Sequence, residues 1–418
     1  MNAIILSIGD ELVLGQTIDT NSAWLSAQLA AVGCAVSAHL TVPDDQPAIE
    51  LAIRNASQQC ELLLISGGLG PTPDDLTRQA LAAVMGQPLE LNKEWLDELQ
   101  KFFAARKRPM PETNRIQAMI PRGADMIFNT AGTAAGIKAD LGACRVYVMP
   151  GVPKEMKIMF ERTVMRLLRT TSGGAAILSR TLHTFGLGES AVAEMLGDLM
   201  RRDRNPSVGT TVSNGIVSLR VNSRFDSIDH ARGQLDSTVA ACRAALGSLI
   251  YGQDDQTLQE VVGRMLKSDP RSPTVATAES CTGGLLGKML TDIPGSSAYY
   301  RFGWITYANE AKEQLLGVPA VTLAEHGAVS EPVVRAMAEG ARQRAQSVYA
   351  LAISGIAGPD GGTAEKPVGT VCIALANPAV TEARTFLFPG DREFIRDRSA
   401  KMALSLLRYY LLHQSPPF

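Results

Sequence analysis

Histidine is scarce in this chain, five in 418 residues, and past residue 250 only His326 and His413 remain. No serine–histidine or cysteine–histidine pair suggests itself in the last third. The six cysteines, Cys34, Cys60, Cys144, Cys242, Cys281 and Cys372, are scattered, with no CxxC pair and no cysteine–histidine spacing for zinc. That excludes a disulfide-stapled or zinc-ribbon protein and predicts a reduced, cytoplasmic setting. With 40 basic against 42 acidic residues and a net charge of −2, there is no field of one sign to hold DNA or an anionic membrane. Nucleic acid is therefore not an expected partner. No apolar run reaches membrane-spanning length, and the N-terminus enters a strand, Ala3 to Ile8, without a basic leader. What is present, 45% hydrophobic and 20% charged residues, is the composition of a globular protein too long for one core, so two or three domains are expected.

The most informative stretch is Ala278-Glu279-Ser280-Cys281-Thr282-Gly283-Gly284, with Tyr307 and Lys312 further on. A β-prone run, Thr274 to Ala278, leads through the glycine pair into Leu285 to Leu290, which has helical spacing. Ser280 is thereby placed at a strand-to-helix turn, where Thr282, Gly283 and Gly284 would supply free amides for an oxyanion. With histidine lacking, Lys312 is the candidate base. Asn309 reads as an N-cap, which puts Lys312 at the third position of a helix Glu310 to Leu316, where the helix dipole and burial lower an amine's pKa. Tyr307 would hold or relay the proton. Cys281 is a rival nucleophile. Ser354 is another, in the loop Ser354-Gly355-Ile356-Ala357-Gly358-Pro359-Asp360-Gly361-Gly362, with substrate contact from Ser354 and Gly355 as its alternative role. Arg392 and Arg396, in the first turns of the last helix, read as a phosphate site or as a solvated basic face. Glu279 to Gly284 can equally be read as a phosphate loop, with Lys312 a solvated lysine.

Earlier in the chain, short apolar runs alternate with amphipathic stretches: Ala3 to Ile8, Asn21 to Ala31, Ala35 to Val42, Pro47 to Gln58 and Glu61 to Ser66. This predicts a parallel sheet covered on both faces. Its loops carry Asp10, Asp44, Asp74 and Asp75 and the glycines Gly67, Gly68 and Gly70, a combination suited to a phosphate and a divalent metal at the strand C-termini. Helix capping accounts for one or two of these acids. After a helix ending near Arg169, a Thr-Ser-Gly-Gly linker at 170–175 marks a boundary, so the domains are expected at 1–170, 176–255 and 256–418. The middle one reads β-α-β-β-α. Gly186 and Gly188 are two apart and followed by Glu189, which does not suit an RNA clamp, and Arg201, Arg202 and Arg204 read as a solvated face.

Gly9-Asp10-Glu11-Leu12 with Gly15, Asp19-Thr20-Asn21-Ser22 and Gly67 to Asp75 resemble the signature of the CinA (competence/damage-inducible) family, whose N-terminal domain is similar to the MoaB/Mog fold. Glu279 to Gly284, Ile305 to Lys312 with Gly327 to Pro332, and Ser354 to Gly362 resemble its C-terminal nicotinamide-nucleotide amidohydrolase module. The resemblance covers essentially the whole chain. It implies an α/β protein of three parts: a MoaB/Mog-like parallel-sheet domain, a small α+β KH-type domain and a C-terminal α/β amidohydrolase domain, assembled as a homodimer. It further implies an ADP-ribose pyrophosphatase dependent on magnesium, manganese or cobalt, with Asp10, Asn21, Gly67, Gly68 and Asp74 at the nucleotide and Asp44 and Asp75 at the metal. The C-terminal module would hydrolyse NMN without a cofactor, Ser280 being the nucleophile and Lys312 its partner, with Thr282, Gly283, Gly284, Asn309, Ser354, Gly355 and Arg392 around the substrate. The rival readings are a molybdopterin or nucleotide-binding protein and a non-enzymatic competence partner that binds DNA or a recombinase.

Overall fold

The run Leu62-Leu63-Leu64-Ile65 is wholly apolar, and with Ser66 it makes one strand in which all five residues are buried. Such a run belongs in the middle of a sheet covered on both faces. In the computed structural model, which describes residues 1–171 and 176–418, it lies in a six-stranded sheet of order Ala35–Val42, Asn2–Ile8, Leu62–Ser66, Cys144–Met149, Gly136–Leu141, Asp125–Ile127. The first four strands are parallel. The last two are antiparallel, reached through the turn at Gly142, whose φ of 61° suits a residue without a Cβ. The expected parallel sheet is thus extended by an antiparallel edge. Alternate residues of one strand go to opposite cores. Ile4, Leu6, Leu63 and Ile65 join Ile49, Ile53 and Leu81, whereas Ile5, Leu62 and Leu64 join Leu25, Leu29, Met156 and Phe160. Because the strands are parallel, Ile8, Ser66 and Met149 all end at one edge, and the glycine loops emerge there.

The described residues divide into two compact units, 1–178 with 222–235 and 179–221 with 236–418. Residues 172–175, most of the expected linker, lie outside the described residues. The middle segment has a four-stranded sheet of order Ser207–Ser213, Ile216–Phe225, Ala176–Phe185, Ile250–Gln253. The last of these strands, antiparallel to Ala176–Phe185, was not expected.

The C-terminal sheet runs Tyr300–Ile305, Val275–Glu279, Tyr349–Gly355, Thr370–Ala376, Thr381–Leu387, with the first three strands parallel and the rest antiparallel. Its two faces differ in size. Ala276, Ala278, Ala350, Ala352, Ala374 and Ala376 face one core with Val333, Val334 and Met337, whereas Val275, Leu351, Ile353, Ile373 and Leu375 face the other with Val262, Ile395 and Leu404. Small residues on the first face let the helix Glu331–Ala345 lie close to the sheet. That helix, the helix Ala320–His326 and the edge strand Thr381–Leu387 were not expected from the sequence. Among the described residues no helix is long and apolar enough to cross a membrane.

The close approach continues to the helix that carries Lys312. A Cβ added at Gly340, in the helix Glu331–Ala345, would overlap the carbonyl oxygen of Leu316, the last residue of the helix Asn309–Leu316. Gly340→Ala should therefore destabilise the chain by about 2 kcal/mol, overpacking outweighing the helix-propensity gain. The check is the urea unfolding midpoint of the full chain, and an unchanged midpoint would contradict the close approach.

Candidate active site

The strand Val275–Glu279 is buried throughout, and Ser280 follows it immediately. The Ser280 amide donates to the Ile353 carbonyl at 2.9 Å, which ties the residue to the neighbouring strand. Gly283 and Gly284 then take φ values of 59° and 97°, left-handed positions that favour glycine, and turn the chain into the helix Leu285–Thr291. The expected strand-to-helix turn is present.

Lys312 is 1% exposed, and its Nζ lies 3.4 Å from Ser280 Oγ. It also donates to the carbonyls of Thr306 at 2.9 Å and Tyr307 at 3.2 Å. No carboxylate pairs with it among the described residues. Burial pulls the Lys312 amine below the usual lysine range, against a smaller opposing pull from Cys281 and Glu310. A neutral amine has two N–H groups and one lone pair. Two carbonyls take the N–H groups, and the lone pair is left for the serine hydroxyl. The helix begins one residue earlier than expected, with Ala308 as N-cap and no side-chain cap, so Asn309 is not the cap and Lys312 is the fourth residue after it. Desolvation, rather than position in the first turn, is the leading cause of the shift.

Other expected residues take different places. The Tyr307 side chain is 61% exposed, and its hydroxyl accepts from Arg392 Nη2 at 3.1 Å. Its contact with Lys312 is through the carbonyl, so a proton relay through the phenol has no geometry here. Ser354 Oγ donates to the Ala328 carbonyl at 2.7 Å, which engages the hydroxyl in holding a neighbouring loop and leaves it no base. A Cβ on Gly355 would meet Cys281 Sγ at 3.1 Å and Val371 Cγ2 at 2.8 Å, so the glycine is needed for packing. Cys281 is buried, its thiol pushed up to about 12 by burial, and it stays protonated. Asn309 is exposed.

The oxyanion donors also need correction. Gly284 N donates to the buried Glu279 carboxylate at 3.0 Å, Gly283 N to Ser280 O at 3.1 Å and Leu285 N to Thr282 O at 3.2 Å. Among the described residues the amides without a partner in this turn are those of Cys281 and Thr282. Arg396 Nη2 donates to the Thr282 carbonyl at 2.8 Å, and Arg392 Nη1 to the Gly358 carbonyl at 2.7 Å. Among the described residues neither guanidinium has an acidic partner within ion-pair distance.

In the first unit, a cavity of about 450 Å³ at the strand C-termini is lined by Gly67, Gly68, Glu11, Asp44, Asp74, Asp75 and Glu155, among others. Gly67 and Gly68 have φ of 113° and 64°, and a Cβ on either would overlap Ile8 O or Thr77 Oγ1. Arg78, 1% exposed, donates to the carbonyls of Leu69 and, at 3.2 Å, Gly70. Burial pulls its guanidinium down to about 10, with Asp75 opposing. Asp75 accepts from Gly70 N at 2.6 Å, Thr72 N at 2.9 Å and Thr72 Oγ1, so it shapes the loop. Asp10 and Asp44 exchange carboxylate-to-amide bonds of 2.9 and 3.2 Å. The acids whose side chains cap helices in this unit are Asp19 and Asp45, not the four singled out in the sequence. Asn21, buried, donates to Ser66 Oγ at 3.0 Å and Gly151 O at 2.8 Å, bracing two loops.

Among the described residues no three His, Cys, Asp or Glu side chains converge as a ligand cage. Burial, and then the charges of Asp10, Glu11 and Asp74, push the Asp44 carboxyl up. This set does not suit a caged resident ion, but it suits a hydrated cation that arrives on a diphosphate and needs one or two carboxylates.

The sequence gives no role to Glu279, which stands in the serine motif, or to Arg78, which follows the first glycine loop. The available signal was a charged residue flanking a glycine turn.

Three family models match the chain: "Probable molybdopterin binding domain" over residues 4–170, "Damage-inducible protein CinA KH domain" over 179–252 and "CinA C-terminal domain" over 255–411. A protein of Symbiobacterium thermophilum, whose name assigns it provisionally to the competence-damage inducible proteins, is 46% identical over 426 residues, covering 99% of each chain. A CinA-like protein of Geobacter sulfurreducens is 43% identical over 413 residues, covering 99% of this chain and 100% of its own. The solved competence/damage inducible protein CihA of Agrobacterium tumefaciens is 40% identical over 38% of this chain and 97% of its own, with a TM-score of 0.36.

A lysine lowered by burial becomes a base as pH rises through its depressed pKa. Labelling of Ser280 by a fluorophosphonate should therefore climb with pH along an acid limb of unit slope. Lys312→Met should remove the limb and slow labelling by roughly 10²-fold or more. A limb that persists in Lys312→Met would place the base elsewhere.

Proposed function

The chain belongs to the CinA family, and from that membership and the site geometry we propose that its C-terminal domain is a nicotinamide-nucleotide amidohydrolase converting NMN to nicotinate mononucleotide and ammonia. The observation that carries the proposal is the buried Lys312 Nζ, unpaired with any acid, 3.4 Å from Ser280 Oγ. The lone pair of Lys312 takes the serine proton as Oγ attacks the carboxamide carbon. The electron pair of the carbonyl moves onto oxygen, which the amides of Cys281 and Thr282 receive. The lysine returns its proton to the leaving nitrogen, the C–N bond breaks and ammonia departs. Water, deprotonated by the same lysine, then hydrolyses the acyl-serine. Arg392, with no acidic partner and a hydroxyl and a carbonyl as its contacts, suits the substrate's phosphate.

The N-terminal cavity supports an ADP-ribose pyrophosphatase in the same proposal. The amides of Gly68 and Leu69 have no partner among the described residues and would meet the diphosphate. A divalent ion, magnesium, manganese or cobalt, held by Asp44 with Asp74 near it, would neutralise charge on the phosphates. Asp75 acts through the loop it ties together. The same free amides favour a second reading, a pterin-nucleotide binding site that does no chemistry. ADP-ribose cleavage by the purified protein separates the two. A homodimer belongs to the proposal through the family resemblance.

Ser280→Ala is expected to abolish ammonia release from NMN while AMP release from ADP-ribose persists, and a chelator is expected to stop only the latter. Ammonia release by a folded Ser280→Ala protein would end the amidohydrolase reading. Arg392→Ala is expected to raise KM for NMN by about 10-fold, the worth of a charge-assisted hydrogen bond to phosphate.

A further inference from the structure

Glu279 closes a strand in which every residue is buried, and it is itself 1% exposed. A carboxylate so far from water needs compensation. No cation pairs with it among the described residues. Its oxygens accept from the backbone amides of Gly284 at 3.0 Å, Leu286 at 3.0 Å and Gly287 at 2.8 Å. Gly287 makes room, since a Cβ there would meet Tyr300 Oη at 2.7 Å and Glu279 Oε1 at 3.4 Å. The arrangement spans the whole turn, from the residue before Ser280 to the first turn of the helix Leu285–Thr291.

The consequence is a sorting of amides. Ser280 N goes to Ile353 O, Gly283 N to Ser280 O and Leu285 N to Thr282 O, while Glu279 takes those of Gly284, Leu286 and Gly287. The amides of Cys281 and Thr282 remain, on the two residues after the serine. The amide following a nucleophile at a strand-to-helix turn is a common oxyanion donor. We propose that Glu279 is a positioning residue for acyl transfer, which by anchoring three amides of the turn fixes the Cys281 and Thr282 amides as the oxyanion donors beside Ser280. This rests on the amidohydrolase reading above. Glu279 acts through geometry and not through its field, because a negative charge near a developing oxyanion opposes it, and the three N–H groups screen that charge.

Glutamine at this position keeps one accepting oxygen and places an NH₂ against amide donors, so the turn loses its anchor without losing volume. Aspartate keeps the charge but is one methylene short. The test uses the full chain with Glu279→Gln, Glu279→Asp and Ser280→Ala, measuring kcat and KM for NMN and the rate of fluorophosphonate labelling of Ser280. Both Glu279 variants are expected to lose about 10²-fold in kcat with KM within about twofold, and to be labelled more slowly by a similar factor, as for loss of an oxyanion donor. A merely structural role would lower the unfolding midpoint without slowing the folded enzyme. Wild-type kcat and labelling in either folded variant would overturn the proposal, as would a rise in KM with kcat unchanged. If Glu279→Gln does not fold, Glu279→Asp carries the same measurement. Ser280→Ala separates the two ideas: ammonia release by that variant defeats the amidohydrolase reading, whereas an inactive Ser280→Ala beside a fully active Glu279 variant defeats only the assignment of Glu279.

Discussion

An amine held out of water with no carboxylate beside it is the constraint around which the C-terminal domain is organised. Lys312 is buried, and its partners are two carbonyls and a serine hydroxyl. Two carbonyls cannot stabilise an ammonium as water does, so the amine's pKa is lowered and its lone pair becomes available to the serine as pH rises. Each supporting element follows from that need. The chain just beyond the strand Tyr300–Ile305 supplies the carbonyls of Thr306 and Tyr307. The helix Asn309–Leu316 supplies the lysine, and Gly340 lets the helix Glu331–Ala345 press against its end. The alanine face of the sheet admits that helix in turn. A lysine on the surface would need none of this, and it would be protonated.

The sequence was informative where chemistry is local. Scarcity of histidine directed attention to Lys312, and the β-run followed by a glycine pair located the turn at Ser280. The alternating apolar pattern of the first domain gave the strands of its parallel sheet and their common edge. What was not legible depends on contacts distant in sequence. The edge strand Thr381–Leu387 is half-exposed, with no apolar run to announce it, and the helix Glu331–Ala345 has an arginine- and alanine-rich surface that resembles a solvated stretch. The antiparallel edge of the first sheet follows from pairing between short strands whose register no local pattern encodes. Tyr307 and Ser354 were assigned chemistry because their hydroxyls stand near the right motifs. In the fold one hydroxyl meets an arginine and the other a carbonyl, contacts distant in sequence.

Asp75 and Glu279 illustrate the same difficulty in a more general form. Each is an acid at a glycine turn, and the natural inference is that it touches a ligand or a metal. Instead each accepts from the backbone of its own turn. Arg78 does the converse in the first domain, donating to the carbonyls of Leu69 and Gly70. A glycine loop has both carbonyls and amides to dispose of, and glycine leaves their directions weakly determined. Buried side-chain charges make the choice. A cation beneath the first loop draws carbonyls inward, and an anion beneath the second draws away the amides that would compete.

In each loop two neighbouring amides are left without a partner among the described residues, those of Gly68 and Leu69 in one and of Cys281 and Thr282 in the other. An amide presented without a partner binds an anion or a developing one, so two loops of unlike sequence arrive at the same recognition chemistry. The charge that organises each loop need not match the ligand's sign. Arg78 is opposite in sign to the diphosphate proposed for its loop, whereas Glu279 is like in sign to the oxyanion proposed for its own and is engaged by three N–H groups. That difference explains why Glu279 has three backbone donors within 3.0 Å while Arg78 makes do with two carbonyls. An acid next to a nucleophile is tolerable only when the backbone has already neutralised it.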